Sequence, residues 1–397
     1  MLDPAQIFEA LEASWDRFVM DEAETGRLLD LFTHALAAFV DMPLATVEAL
    51  LEGTKSTGAL PTREHGAPGG RIRFRHRFEN HTEARKWALD VLRGVPTLAV
   101  DGSQILPTKD YSIPIGLAQA GWFLNPHDPD LPYEKGVKAL LLTPDELRHG
   151  AGGEDFVSAS QVNLRRFELE VDQTIRLVKT HSNLVVFFDG SLILSFAEMF
   201  ALDLRKAYIA AILRLLAASE TYRTPVVGYL DTSYARDLCG LLAAIHRFDS
   251  AVAVSDAALV RRTLEWGDRT PVYRCARSGI LDEYRIQDAD FTGPRCDYSD
   301  QITFTYLEAA SDRSPARLEI PRWVFEAGDH ERVIDVVRAE IIAGASGYPY
   351  AIEAADATAV LTMADRDRFY GLLQQFAERK GGRLSYAAKA RSKRTRR

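Results

Sequence analysis

Twice in this chain a short apolar run stops on the same tripeptide: Leu98-Ala-Val-Asp-Gly-Ser-Gln-Ile105 and Val186-Phe-Phe-Asp-Gly-Ser-Leu-Ile193. Apolar runs this short, bounded by turn formers, read as buried strands, and the periodic stretches between them are long enough to be helices. Thr97–Val100 is predicted as a strand ending at Asp101, and Val157–Lys179 as a helix. Leu184–Phe188 is a second strand, ending at Asp189; after helix Phe196–Ser219, strand Val226–Leu230 ends at Asp231. Helix Arg236–His246 and the short strand Ala251–Val254 follow. Strands alternating with helices predict an α/β domain, a central sheet flanked by helices. In such a sheet strand ends converge on one edge, which would bring these acids together.

Clustered carboxylates repel one another unless a divalent cation neutralises them, and hard oxygen donors favour Mg²⁺ or Mn²⁺. Glycine after the acid permits a tight turn and a close approach of phosphate to the backbone. A single Asp-Gly-Ser is an ordinary turn opener; its repetition after two apolar strands gives the metal reading equal standing. Leu164-Arg-Arg-Phe-Glu-Leu-Glu-Val-Asp172 leads into the Asp189 strand. As a helix it puts Glu168 and Asp172 on one face and Glu170 elsewhere. A solvated face is the ordinary reading of such a run, with one of its acids an additional ligand as the alternative. In Gly347-Tyr-Pro-Tyr-Ala-Ile-Glu-Ala-Ala-Asp-Ala-Thr-Ala359, Asp356 stands in an Ala-rich stretch where burying an acid without a partner is costly. The Tyr348 hydroxyl is suited to positioning a water or phosphate oxygen, and Glu353 falls on a neighbouring face.

Elsewhere, Pro4–Glu52 reads as helices and Gly53–Gly70 as a loop. In Arg71–Phe78 arginines alternate with Ile72, Phe74 and His76, which predicts a strand with one basic face, either a solvated edge or a phosphate-contacting strip. Phe304–Leu307 and Arg317–Ile320 suit a hairpin; Val333–Ala343, Ala351–Met363 and Arg366–Arg379 read as helices. The chain has 397 residues, 47% hydrophobic and 26% charged, which suits a folded globular protein of two or three units. No apolar run approaches the ~18–20 residues that span a bilayer. Met1–Met20 lacks the basic start and continuous apolar core of a signal peptide. The three cysteines form no CxxC pair, so neither a zinc site nor a disulfide framework is supported. A cytoplasmic location without membrane attachment is the expectation. P-loop, GxGxxG, HExxH and GxSxG signatures are all missing, which sets aside P-loop ATPase, dinucleotide-binding, zincin and α/β-hydrolase chemistry.

Together these motifs resemble the NurA family of DNA-end-processing nucleases. The likeness rests on the strand with Asp101-Gly-Ser, the helix followed by Phe188-Asp-Gly-Ser-Leu-Ile193, Arg317-Leu-Glu-Ile-Pro-Arg-Trp323, and the closing Gly347-Tyr-Pro-Tyr…Ala-Asp356 segment. The resemblance implies a ribonuclease H-like core with a mixed central sheet. It covers roughly Pro96–Tyr370, and the chain divides into a helical N-terminal segment with the basic strand over 1–95, a nuclease domain over 96–379 and a basic disordered tail over 380–397. It further implies a Mn²⁺-dependent 5′-to-3′ exonuclease, with Mg²⁺ as an alternative ion, that also cuts single strands internally. A homodimer and a hexameric HerA-type translocase partner, which would supply the missing ATPase, complete the picture. In the family the acids matching Asp101 and Asp189, with one from the intervening helix, bind metal, and a tyrosine matching Tyr348 lies in the site. The helix acid matches Glu168, Glu170 or Asp172, with Glu170 preferred. Archaeal members typically carry His where this chain has Asp356, which bears on the number and affinity of bound ions. The competing reading is a catalytically silent DNA-binding adaptor that keeps the fold for docking to a translocase.

The net charge of −8 is unevenly spread. The last fifteen residues hold seven basic groups and no acid, leaving −15 for Met1–Gly382. A body that acidic needs local basic strips to hold DNA. Deleting the chain after Ala388 is expected to weaken binding to linear DNA more at low than at high salt, because screening removes the arm's contribution. Turnover at saturating DNA should stay unchanged; wild-type affinity of the truncated protein at low salt, measured by fluorescence anisotropy, would show the arm to be idle.

Overall fold

A computed structural model describes residues 2–54, 56–108, 111, 113–148, 159–248, 254–288, 291, 293–310, 312–344 and 346–381. Most of the expected strand Ala251–Val254 and nearly all of the basic tail lie outside the described residues. Along the chain come helices α1 (Pro4–Glu12), α2 (Trp15–Asp41) and α3 (Leu44–Leu51), strand β1 (Gly58–Leu60) and helix α4 (His81–Leu92). Strands β2 (Thr97–Ile105), β3 (Gly116–Asn125) and β4 (Glu134–Leu142) follow, then α5 (Pro144–Arg148), α6 (Ala159–Thr180), β5 (Val185–Asp189), α7 (Leu202–Thr221) and β6 (Val226–Leu230). The remainder is α8 (Asp237–His246), α9 (Asp256–Val260), β7 (Tyr273–Ala276), β8 (Ile302–Leu307), β9 (Ala316–Pro321) and α10 (Arg322–Glu326), closed by α11 (His330–Gly344), α12 (Tyr350–Ala359) and α13 (Met363–Arg379). Among the described residues no single helix is long and apolar enough to cross a membrane; α2 and α3 reach that composition only as a pair bent by 118°.

The chain divides into two units. The first comprises Met1–Phe78, Tyr229–Asp282 and Ser299–Arg322. Its strands run in the order β1-β7-β8-β9, antiparallel throughout, and the expected hairpin is β8–β9, with Phe304 opposite Glu319. Beneath it lies a buried ionic cluster: Asp237 takes Arg317 at 2.8 Å and Arg277 at 2.5 Å, and Arg317 also pairs with Glu319 at 2.8 Å. Burial alone would raise the Asp237 carboxyl, but the two guanidiniums outweigh it and hold it below its usual range.

The basic segment Arg71–Phe78 belongs to this unit and is not a strand; only Ile72 makes a bridge, to Arg269. Period-two alternation was a sound signal, but acids of this unit capture the backbone and the arginines. The buried Asp268 carboxylate accepts the Phe74 N–H at 2.9 Å, Arg71 pairs with Glu265 and Asp268, and Arg77 pairs with Glu265. A backbone N–H held by a carboxylate is not available to a ladder. Two of the four alternating arginines are thereby committed within the unit.

The second unit comprises Glu79–Gly228, Glu283–Tyr298 and Trp323–Arg397. Its strands lie in the order β4-β3-β2-β5-β6. β3 is antiparallel to both β2 and β4, while β2 and β5 are parallel. This mixed sheet with helices packed on both faces is a ribonuclease H-like core. The hairpin strands β3 and β4, which the strand–helix alternation passed over, supply two of its five positions. β4 is largely exposed, so it lacks the continuous apolar run that marked the central strands.

Side-chain alternation along β2 and β3 assigns the helices to opposite faces. A Cβ on Gly102 would collide with Arg166 and Glu170, and one on Gly116 with Val162, so that face belongs to α6. A Cβ on Gly121 would lie 2.6 Å from the Ala359 backbone, so the other face belongs to α12. The buried Glu340 carboxylate on α11 accepts from the Thr97 hydroxyl at 2.7 Å and the Ala351 N–H at 2.9 Å, fastening the start of β2 to the first turn of α12. Gly121→Ala should therefore destabilise the protein by about 1–3 kcal/mol through overpacking. Gly371→Ala, with open space around it in α13, should be neutral or slightly stabilising; thermal melts of the two variants test the contrast.

Candidate active site

The repeated tripeptide adopts two backbones. Asp101, Gly102 and Ser103 continue inside β2, opposite Gly121, Ala120 and Gln119 of β3. The expected strand end at Asp101 is thus corrected: small residues on β3 let the pairing run on to Ile105. Asp189 does end β5, and Gly190 turns the chain at φ +132°. β2 and β5 pair only over Thr97–Ala99 and Val185–Phe187, so each aspartate stands two residues beyond the last paired position. Two parallel strands that part at this point present both carboxylates at one sheet edge.

The loop after Asp189 is held rigidly. The Tyr284 hydroxyl accepts the Leu194 N–H at 2.9 Å and donates to the Leu192 carbonyl at 2.8 Å. Ser191 closes a local turn with Ile193, whereas Ser103 accepts the Leu361 N–H at 3.1 Å, pinning the exit of α12 to β2. Gln119 donates to the Ala359 carbonyl at 3.0 Å from the adjacent strand.

Of the three acids on α6, the structure separates one from two. Glu168 pairs with Arg165 at 2.8 Å and Asp172 with Arg214 at 2.5 Å, both outward. Glu170 is buried and lies under Gly102, where the missing side chain leaves room for it. Burial pushes the Glu170 carboxyl up to about 7; Arg166 pulls it down, and Asp101 and Asp189 push it further up. Burial likewise raises Asp101 to about 6; the Gly102 N–H opposes this, and Asp356 and Asp189 add to it. Asp356 is exposed on α12, one turn before Ala359 packs on Gly121. Tyr348, half-buried in the loop before α12, donates its hydroxyl to Asp189 Oδ1 at 2.7 Å. Asp101 is thus within electrostatic reach of Glu170, Asp189 and Asp356, and Tyr348 joins the group through Asp189. Asp231 falls in the first unit.

Arg166 is the participant that inspection of the chain did not single out. It lies one turn before Glu170 on α6, contacts Glu170 Oε1 at 2.9 Å and donates to the Gly102 carbonyl at 3.1 Å. The available signal was its i,i+4 spacing to Glu170.

The donor set suits a hard divalent cation. Four carboxylates and a phenol offer only oxygen, and two of the acids are held toward their neutral forms by burial and mutual repulsion. Glu170 Oε1 is buried without a hydrogen-bond partner. Among the described residues no three acid, imidazole or thiol groups are drawn tightly enough to chelate an ion as they stand. The acids are gathered by the fold but not closed into a cage.

A family model described as the NurA domain matches residues 95–361. The chain belongs to the NurA family. Solved structures that it resembles include the NurA nuclease from Sulfolobus solfataricus, at 13% identity and TM-score 0.47, covering 72% of this chain and 85% of that one. A NurA bound to dAMP and manganese aligns at 9% identity and TM-score 0.35, over 68% of this chain and 85% of that one. The catalytic domain of human Endonuclease V aligns at 11% and 0.33, over 74% and 94%. No curated protein matches the sequence. The NurA match contains Asp101, Glu170, Asp189, Tyr348 and Asp356 and excludes α1–α4 and α13.

An acid raised by folding contributes stability below the ordinary carboxylate range, and that contribution is lost as pH rises through the folded value. With divalent ions removed, the melting temperature should therefore fall between about pH 5 and pH 8, the span set by Asp101 near 6 and Glu170 near 7. Glu170→Gln should melt a few degrees above wild type at pH 8 and level with it at pH 5. Parallel melting curves at both pH values would show that the two acids are not desolvated as described.

Proposed function

We propose that this protein is a metal-dependent DNA nuclease, a phosphodiester hydrolase. The observation that carries the reading is the meeting of Asp101, Glu170, Asp189 and Asp356 at the parting of β2 and β5, inside a NurA domain. These four carboxylates are the residues that would hold Mn²⁺, or Mg²⁺ in its place. Bound there, such ions supply activation of a water and stabilisation of the leaving 3′ oxygen. The chain's own contribution is placement. Tyr348 fixes the orientation of the Asp189 carboxylate through its hydroxyl, Gly102 leaves the space that Glu170 enters, and Glu340 locks α12 to β2. Burial keeps Asp101 and Glu170 readily protonated in the absence of a cation, so deprotonation and ion binding are linked.

The finer assignment follows the family resemblance. The protein is a 5′-to-3′ exonuclease with single-strand endonuclease activity, acting as a homodimer in DNA end resection and double-strand break repair. A hexameric HerA-type translocase supplies the ATP-driven movement for which this chain has no P-loop.

The test is digestion of linear DNA with Mn²⁺ and with EDTA. Wild type should degrade DNA only with the ion. Asp101→Ala should lose at least about 100-fold in rate, ~2.7 kcal/mol of barrier, while melting no lower than wild type at pH 8. Full activity in folded Asp101→Ala would overturn the site. A wild-type protein that binds DNA but never cuts it would instead identify a silent adaptor subunit.

A further inference from the structure

The cation already present among these acids is a guanidinium. Arg166 lies against Glu170 Oε1 at 2.9 Å and its charge acts on both Glu170 and Asp101. The other arginine at this level of α6, Arg165, points away and pairs with Glu168 and Glu146. The stem of Arg166 packs beneath Gly102, where an added Cβ would lie 2.7 Å from its Cγ. That packing sets the guanidinium beside the acids without a side chain between it and β2.

The contact differs from the permanent ion pairs of the same unit. Arg295 meets Glu220 through two aligned bonds, Nε at 2.8 Å and Nη2 at 2.5 Å, the fork geometry that makes arginine–carboxylate pairs strong. Arg166 meets Glu170 through a single nitrogen that is not aligned as a hydrogen bond, so Glu170 Oε1 remains without a hydrogen-bond partner, as does the buried Arg166 Nε. The arginine side chain is still 30% exposed, against 11% for the glutamate, so it has solvent to move into. Charge is neutralised here while hydrogen-bonding capacity is left over on both partners.

We propose that Arg166 is a built-in counter-ion, a positioning residue that holds the acids together while the site has no divalent cation and that the cation must displace in order to bind. This inference rests on the metal-dependent reading above. Glu170 Oε1 cannot keep a guanidinium against it and ligate a metal at once, and a contact not aligned as a hydrogen bond is cheaper to break than a two-bond fork. The arginine therefore trades affinity for the ion against a folded, ready site in its absence.

Calorimetric titration of the full-length protein with MnCl₂, comparing wild type with Arg166→Met and Arg166→Lys, tests this directly. Loss of the competing charge should tighten Mn²⁺ binding by about tenfold in Arg166→Met, with Arg166→Lys near wild type. In EDTA at pH 8, Arg166→Met should melt below wild type, and saturating Mn²⁺ should abolish the difference. A merely structural arginine predicts the opposite pattern, a lower melting temperature with and without the ion and affinity that is unchanged or weaker; that result overturns the proposal while leaving the nuclease reading intact. If neither wild type nor Arg166→Met binds Mn²⁺, the metal-dependent reading falls, and this inference with it. Circular dichroism of each variant confirms that folded proteins are being compared.

Discussion

Mutual repulsion among Asp101, Glu170, Asp189 and Asp356 is the constraint around which the second unit is built. Burial disfavours the ionised forms of Asp101 and Glu170, the neighbouring acids add to it, and the rise of both carboxyls is the visible consequence. Nothing local to any one acid would keep it there. Each is delivered by a different element, β2, α6, β5 and α12, whose position is secured elsewhere by apolar packing and by hydrogen bonds.

Absence of side chains matters as much as their presence. Gly102 and Gly121 lie on adjacent strands, on opposite faces of the sheet, and each admits a helix to closer contact than alanine would permit. Through Gly102 the α6 acid reaches the sheet from one side; through Gly121 the α12 backbone approaches from the other. Two faces of one sheet thereby contribute to one edge. Ordinary turn logic explains only Gly190, whose positive φ lets β5 end at its acid.

The first unit shows the same physics with a different outcome. Its acids Asp237 and Asp268 are also buried, but they are met by arginines and backbone N–H groups. Asp237 is consequently held ionised, where Asp101 and Glu170 are driven toward protonation. In the basic stretch Arg71–Phe78, two arginines serve Glu265 and Asp268.

The linear chain by itself determined the α/β class, the β2, β5 and β6 strands, the α6 helix and the β8–β9 hairpin, because apolar periodicity reports directly on burial. It also marked Asp101, Asp189, Tyr348 and Asp356, since an acid after an apolar strand or inside an Ala-rich helix conflicts with its surroundings. Tertiary structure alone decided which acid of α6 turns inward. Helical spacing sets Glu170 apart from Glu168 and Asp172, but which face turns inward depends on the gap above Gly102 and on Arg165 and Arg214 drawing the other two outward. It decided as well that one Asp-Gly-Ser stays in a strand while the other turns. A strand continues only where a neighbour offers hydrogen bonds, and β3, separated from Asp101 in the chain, is that neighbour.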